Sequence, residues 1–373
     1  MADRRRVVDR LPDFPWDRLA PHKQAAATHP DGIADLSVGT PVDPVPAQLR
    51  TALAEAADSP GYPTTHGTPA LRDAAAAWLA RRHGVTVESA AVLPTIGSKE
   101  LVAWLPTLLG LGPGDTVVHP ELAYPTYDIG ARLAGATPIA TDGLTALGPE
   151  RAPLVWVNSP ANPTGRVLGA DHLRKVVAWA RERGAIVASD ECYIDLGWDG
   201  AAPVSVLHPD VCGGSHEGLL ALHSLSKRSN LAGYRAAFVT GDPALVGELL
   251  AVRKHAGMMV PAPVQAAMRA ALDDDGHARE QKERYGRRRA RLRAALEGAG
   301  WEISHSEAGL YLWASHPAHA DSWSAVAALA SIGILVAPGD FYGPAGAGHV
   351  RVAFTATDER VEAAAERLSV TAG

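Results

Sequence analysis

Between residues 116 and 241 the chain repeats one pattern: a short, almost continuously apolar run, then a polar break, often followed by a helical stretch. The runs are "TVVHP" (116–120), "PLVWVNSP" (153–160), "AIVASD" (185–190), "LLALHS" (219–224) and "AAFVTG" (236–241). A strand with no polar face has no side to give to water, so both faces must be covered, as in mostly parallel sheets. Between the runs, "HLRKVVAWARERG" (172–184) sets Leu173, Val176, Val177 and Ala180 at helical spacing. Strands alternating with helices predict a doubly wound α/β domain, placed at 44–265.

The flanks read differently. Residues 45–57 and 69–83 predict helices, the second with Leu71, Ala74, Ala75 and Trp78 on one face and Pro69 at its start. Residues 1–43, rich in Pro and charge, predict an extended arm. Downstream, 279–300 predicts a long helix whose basic run is its solvated face. "GLYLWAS" (309–315) and "HVRVAF" (349–354) alternate like strands, and 358–368 is a closing helix. Residues 266–373 therefore form a smaller α+β domain, which the arm joins.

With 373 residues there is room for both domains and a large core. A net charge of -6 gives no electrostatic reason to expect nucleic acid. Two cysteines, Cys192 and Cys212, imply no disulfide framework and a reducing compartment. The charged start lacks a signal-peptide core, and no apolar run approaches the roughly 20 residues of a membrane span. The expectation is a cytoplasmic protein.

In an open α/β sheet, ligands bind beyond the carboxyl ends of the strands. The chemically unusual residues collect there: Asn162 in "NSPANPTG", Asp190 and Tyr193 in "SDECY", then Ser224 and Lys227 in "SLSKRSNLAGYR". Asn, Asp, Tyr and Lys at successive strand ends are hard to assign to packing.

These three motifs, in this order, resemble the fold-type I pyridoxal-phosphate enzymes, specifically the class I and II aminotransferases. "GYPTTHGTPALRDA" (61–74), "GSKE" (97–100), "ELAYPTY" (121–127), "GILVAPGDFYG" (333–343) and "VRVAF" (350–354) extend the resemblance nearly end to end. It implies pyridoxal 5′-phosphate as cofactor and a large domain with a mostly parallel, seven-stranded type of sheet. It implies Lys227 as the lysine bonded to the cofactor aldehyde and, once displaced, the proton carrier at the substrate α-carbon; lysine suits both because its pKa falls readily on burial. Asp190 would pair with the pyridine nitrogen. Asn162 and Tyr193 would hydrogen-bond the ring O3′, and Tyr124 would stack on the ring. Gly97, Ser98 and Lys99 at a helix start, with Ser224, Ser226 and Arg235, would surround the phosphate. Tyr62 would reach the phosphate from a neighbouring subunit, which implies a homodimer. Arg351 would clamp the substrate α-carboxylate, helped by the backbone of Gly39.

"LPDFPWDRL" (11–19), "LSVGTPVDPVP" (36–46) and "SLSKRSNLAGYRAAFVTGD" (224–242) are narrower. Together they resemble the succinyldiaminopimelate aminotransferases of bacterial lysine biosynthesis. That resemblance implies amino transfer between N-succinyl-LL-2,6-diaminoheptanedioate and 2-oxoglutarate. Both substrates carry a second acidic end, for which Arg18, Lys23, Lys99 and Arg228 are the candidate cations. Arg228 departs from the small or hydroxyl residue of the family pattern. An acetylornithine- or aspartate-type aminotransferase and a carbon–sulfur lyase remain the alternatives on this fold.

Overall fold

The computed structural model describes residues 6–148 and 151–371; residues 1–5, 149–150 and 372–373, at the outer edges of the expected arm and small domain and before the second apolar run, lie outside the described residues. In chain order the first part holds α1 (Ala20–Ala27), β1 (Ala34–Asp35), α2 (Ala47–Glu55), α3 (Pro69–His83), β2 (Val92–Ile96), α4 (Ser98–Leu108), β3 (Thr116–His119), α5 (Thr126–Ala134) and β4 (Thr137–Ala140). Then come β5 (Leu154–Asn158), α6 (Ala170–Glu182), β6 (Ile186–Asp190), α7 (Pro209–Cys212), β7 (Leu219–Ser224), α8 (Leu225–Arg228), β8 (Ala236–Gly241), α9 (Pro243–Ala256) and α10 (Ala262–Asp273). The last part is α11 (Gly276–Gly298), β9 (Glu302–Ser304), β10 (Tyr311–Ser315), α12 (Ser322–Ser331), β11 (Ile334–Leu335), β12 (Ala337–Pro338), β13 (Val350–Ala353) and α13 (Asp358–Thr371).

The large sheet has seven strands in the order β2-β8-β7-β6-β5-β3-β4. From β4 to β7 every pair is parallel, and β8 runs against both neighbours. Each inner strand feeds two cores. Val155, Val157, Val187, Leu219 and Ala221 pack with α3, α6 and α10 on one face. Leu154, Trp156, Ala188, Leu220 and Leu222 pack with α4, α5 and α9 on the other. That double burial is the reason the runs have no polar face. Helix α3 begins where Thr68 accepts a hydrogen bond from the Leu71 amide at 3.2 Å, and it ends at Gly84 in a left-handed turn.

A third core lies in the C-terminal part, over the antiparallel sheet β12-β13-β10-β9 and beneath α11, α12 and α13. Leu19, Ala26, Ala34 and Leu36 join this core, α1 packs on α12, and β1 pairs with β11. The N-terminal segment is thus more than the extended arm the composition predicts. Two further expectations are corrected. A boundary at 265/266 cuts α10, which buries Val264, Ala267, Met268 and Ala271 in the core it shares with α2 and α3; the chain leaves that core at Asp274 and Asp275. The basic run of α11 is not simply a solvated face. Arg288 and Arg289 are buried, the first paired with Asp43 at 2.7 Å and Asp358 at 2.6 Å, the second with Asp199 at 2.7 Å. Buried guanidinium groups need such partners, because an unpaired charge there is costly.

Candidate active site

The parallel strands β3, β5, β6 and β7 end on His119, Asn158, Asp190 and Ser224, and all four residues line one cavity of about 1490 Å³. The cavity opens between the large sheet and the C-terminal part, which contributes Tyr311, Tyr342 and Arg351. Its outer wall comes from the N-terminal segment, where Phe14, Trp16 and Arg18 line it.

Lys227 sits on the four-residue helix α8, which starts where the Ser224 hydroxyl accepts from the Ser226 amide at 3.2 Å. Its Nζ donates to the Gly39 carbonyl at 2.6 Å. Burial pulls the amine down to about 8; the charges of Arg351 and Arg235 act in the same direction, while Cys192 opposes them. Asp190, at the end of β6, accepts from the Tyr127 hydroxyl at 2.9 Å and from the Cys192 amide at 3.2 Å. Burial raises its pKa against those hydrogen bonds. The carboxylate has no cationic side chain paired with it among the described residues.

Asn162 follows β5 in a turn with two cis peptide bonds, Ser159–Pro160 and Asn162–Pro163. Its Oδ1 accepts from Arg351 at 2.9 Å, which leaves the amide nitrogen available to donate. The second terminal nitrogen of Arg351 donates to the Ser37 carbonyl at 2.6 Å, and its buried Nε has no hydrogen-bond partner. The guanidinium lies 4.0 Å from the Tyr311 ring centre and 4.8 Å from that of Tyr342. The Tyr193 and Tyr311 hydroxyls are 3.0 Å apart, and burial raises both phenols. Tyr311 also explains Gly39: its hydroxyl occupies the space any Cβ there would need.

Ser98 and Lys99 open α4 at the cavity, close to Arg235. Lys99 lies 5.8 Å from the Tyr124 ring centre, and its pKa is lowered by burial and by the charge of Arg235. Gly97 has φ 77°, and the Arg235 guanidinium fills the place of its missing side chain. Gly97→Ala should therefore push Arg235 out of position and weaken pyridoxal-phosphate binding at least about tenfold, the size of one lost charge-assisted hydrogen bond. Titration of the apoprotein measures this; unchanged affinity would show that Arg235 does not depend on the gap.

Of the site residues expected from sequence, all but Gly97 and Tyr62 line the cavity itself. Gly97 abuts it through Arg235, and Tyr62 is 98% exposed, away from this chain's own cavity. Sequence reasoning missed the residues that hold the others: Tyr127, stacked on Trp156 and bonded to Asp190; Tyr311; and Asn158, whose amide donates to the Asp190 carbonyl at 3.0 Å and whose Oδ1 accepts from the Asn162 amide at 2.8 Å. Of the four candidate distal cations, Arg18 and Lys99 line the cavity. Lys23 instead pairs with Asp35 at 3.3 Å, and Arg228 is buried behind α8 in an ion pair with Asp195. Among the described residues no helix is long and apolar enough to cross a membrane.

The donor set fits pyridoxal 5′-phosphate. Among the described residues a part-buried amine rests on a carbonyl alone, a buried carboxylate has no cationic partner, and an arginine is packed against a glycine that opens a helix. Fold and site together define a fold-type I, pyridoxal-phosphate-dependent enzyme.

The sequence matches the family "Aminotransferase class I and II" over residues 31–368, and the chain belongs to it. It is 66% identical, over 96% of its length and 85% of the other's, to a protein described as a probable aminotransferase of Mycobacterium tuberculosis. It is 63% identical to the 4-dedimethylamino-4-oxo-anhydrotetracycline transaminase of Streptomyces rimosus, over 96% of this chain and 99% of that one. The solved structure of a probable N-succinyldiaminopimelate aminotransferase from Thermus thermophilus is 30% identical, with a TM-score of 0.85 over 96% of this chain and 100% of that one. The protein is an aminotransferase that uses pyridoxal 5′-phosphate.

Proposed function

We propose that this aminotransferase acts on N-succinyl-LL-2,6-diaminoheptanedioate and 2-oxoglutarate, giving N-succinyl-2-amino-6-oxoheptanedioate and glutamate. The observation that carries this reading is that Arg18 lines the same cavity as Arg351, so a substrate acidic at both ends meets a cation at each. Arg18 lies in the outer wall, 4.5 Å from the Trp323 ring centre and 3.4 Å from the Asp340 carboxylate. The likeness to the Thermus structure, that of a probable N-succinyldiaminopimelate aminotransferase, supports the same reading.

When bound, pyridoxal 5′-phosphate supplies the electron sink for the substrate α-carbon. The chain's residues do the rest. Ser98, Lys99, Ser224, Ser226 and Arg235 would hold the phosphate. Asp190 would keep a proton on the ring nitrogen, and Tyr127 donates to the same carboxylate. Asn162 and Tyr193 would hold O3′, and Tyr124 would cover the ring. Lys227 would hold the cofactor aldehyde and move the proton at the substrate α-carbon; burial, which brings its pKa to about 8, makes the neutral form both tasks require more accessible. Arg351 and the Gly39 backbone hold the α-carboxylate. Tyr62 completes the site of a second copy in a cytoplasmic homodimer, the role its exposure allows.

A second reading follows from the Streptomyces relative: amino transfer to a 4-oxo-anhydrotetracycline-like acceptor. The cavity's volume and its aromatic outer wall leave room for a fused-ring substrate. Steady-state kcat/KM for the succinyl compound, N-acetylornithine and the tetracyclic ketone, each with its amino partner, separates the readings. The first expects the succinyl compound to lead N-acetylornithine by at least about tenfold, as pocket discrimination by chain length allows. A lead for the tetracyclic ketone would replace it with the second.

A further inference from the structure

Arg228 directly follows the active-site lysine, yet its side chain leaves the cavity and enters the interior, 5% exposed. There its Nε lies 2.7 Å from Asp195, one terminal nitrogen donates to the Ala271 carbonyl at 3.0 Å, and the other lies 3.6 Å from Asp275. The guanidinium carbon stands 5.3 Å from the Trp78 ring centre. One side chain thus ties α8 to α3, to the end of α10 and to the segment after β6. Asp195 also lies 3.4 Å from His83 and 3.8 Å from Arg82.

The two partners sit on the two segments that carry the chemistry. Arg228 is one residue from Lys227. Asp195 is two residues from Tyr193, on the turn that starts at Asp190. Helix α8 has four residues, too few to stiffen itself, since a single turn fixes several dihedrals for each hydrogen bond gained. At its tip, Lys227 Nζ donates among the described residues to the Gly39 carbonyl alone. A buried ion pair contributes little net stability compared with apolar residues of the same volume. What this one supplies is direction, because the guanidinium donates to the Ala271 carbonyl at 3.0 Å while its Nε lies 2.7 Å from the Asp195 carboxylate.

We propose that Arg228 and Asp195 are positioning residues whose ion pair sets the placement of Lys227 relative to Asp190 and Tyr193. The inference rests on the roles proposed above for those three residues.

The experiment compares the wild-type holoenzyme with Arg228→Lys and with the double variant Arg228→Gln/Asp195→Asn, which removes both charges and so leaves neither buried alone. In folded, cofactor-saturated protein we expect kcat with glutamate as donor to fall about 10- to 100-fold, the cost of a misplacement near 1 Å. KM for glutamate should hold, since Arg351 lies on a different element. The pH midpoint of the bound cofactor's absorbance should shift, which a purely structural role would not produce. If kcat and midpoint match wild type in the folded variants, the pair only stabilises the fold and the proposal is overturned. Should the double variant not fold, Arg228→Lys decides alone, because it keeps the charge and loses the fork. Lys227→Ala is measured alongside: retained turnover there would overturn the site itself, whereas its loss with unchanged Arg228 variants would remove only the positioning role.

Discussion

Lys227→Ala should lower turnover by about four orders of magnitude, the upper end for removing a proton-transfer residue. Circular dichroism should stay that of a folded chain. Among the described residues the side chain makes no salt bridge, and it donates to the Gly39 carbonyl at 2.6 Å, so its loss leaves no buried charge unpaired. Its burial disfavours the ammonium form and brings the pKa to about 8. Above that pH the amine is mostly neutral and nucleophilic; below it the amine protonates, and capture of the cofactor aldehyde by the apoprotein should slow. The variant's turnover with glutamate and 2-oxoglutarate is the measurement. A rate within the wild-type range would remove Lys227 from the chemistry.

The second large effect is expected at Arg351. Arg351→Lys keeps a positive charge but gives up the planar pair of donors and the contact with the Tyr311 and Tyr342 rings. One charge-assisted hydrogen bond lost corresponds to a KM for the amino acid raised roughly 10- to 100-fold. Cofactor affinity should stay the same, because the proposed phosphate donors lie on α4, at the end of β7, on α8 and on the loop after it. Equal KM values in the two proteins would take Arg351 out of the substrate site.

The strands that were legible in the sequence are those with both faces buried. β5, β6, β7 and β8 show as unbroken apolar runs because alternate residues enter two cores. The two edges of the same sheet were not legible. β2 and β4 each carry a proline, Pro94 and Pro138, and β4 is half-exposed; strand pairing overrode what local composition suggests. Strands of two residues, such as β1, β11 and β12, leave no periodicity to read.

The site shows the same division. Residues at strand ends could be found from the pattern and the motifs. Their supports could not, since Tyr127 reaches Asp190 across 63 positions and Tyr193 meets Tyr311 across 118. Tyr127 stands in the quoted "ELAYPTY" motif, a signal of position without a partner. Arg228 was visible as a departure from pattern, but only the fold shows that its side chain points away from the cavity and towards Asp195. In the same way the basic run of α11 conceals Arg288 and Arg289, whose acidic partners are distant in sequence.

The most direct measurement is to load the protein with pyridoxal 5′-phosphate, reduce it with borohydride and locate the modified lysine by peptide mass spectrometry. Lys227 and Lys99 both line the cavity, so the choice between them is real. Modification of Lys227 alone is the predicted result. A label on Lys99, or on any lysine outside α8, would contradict the site described above.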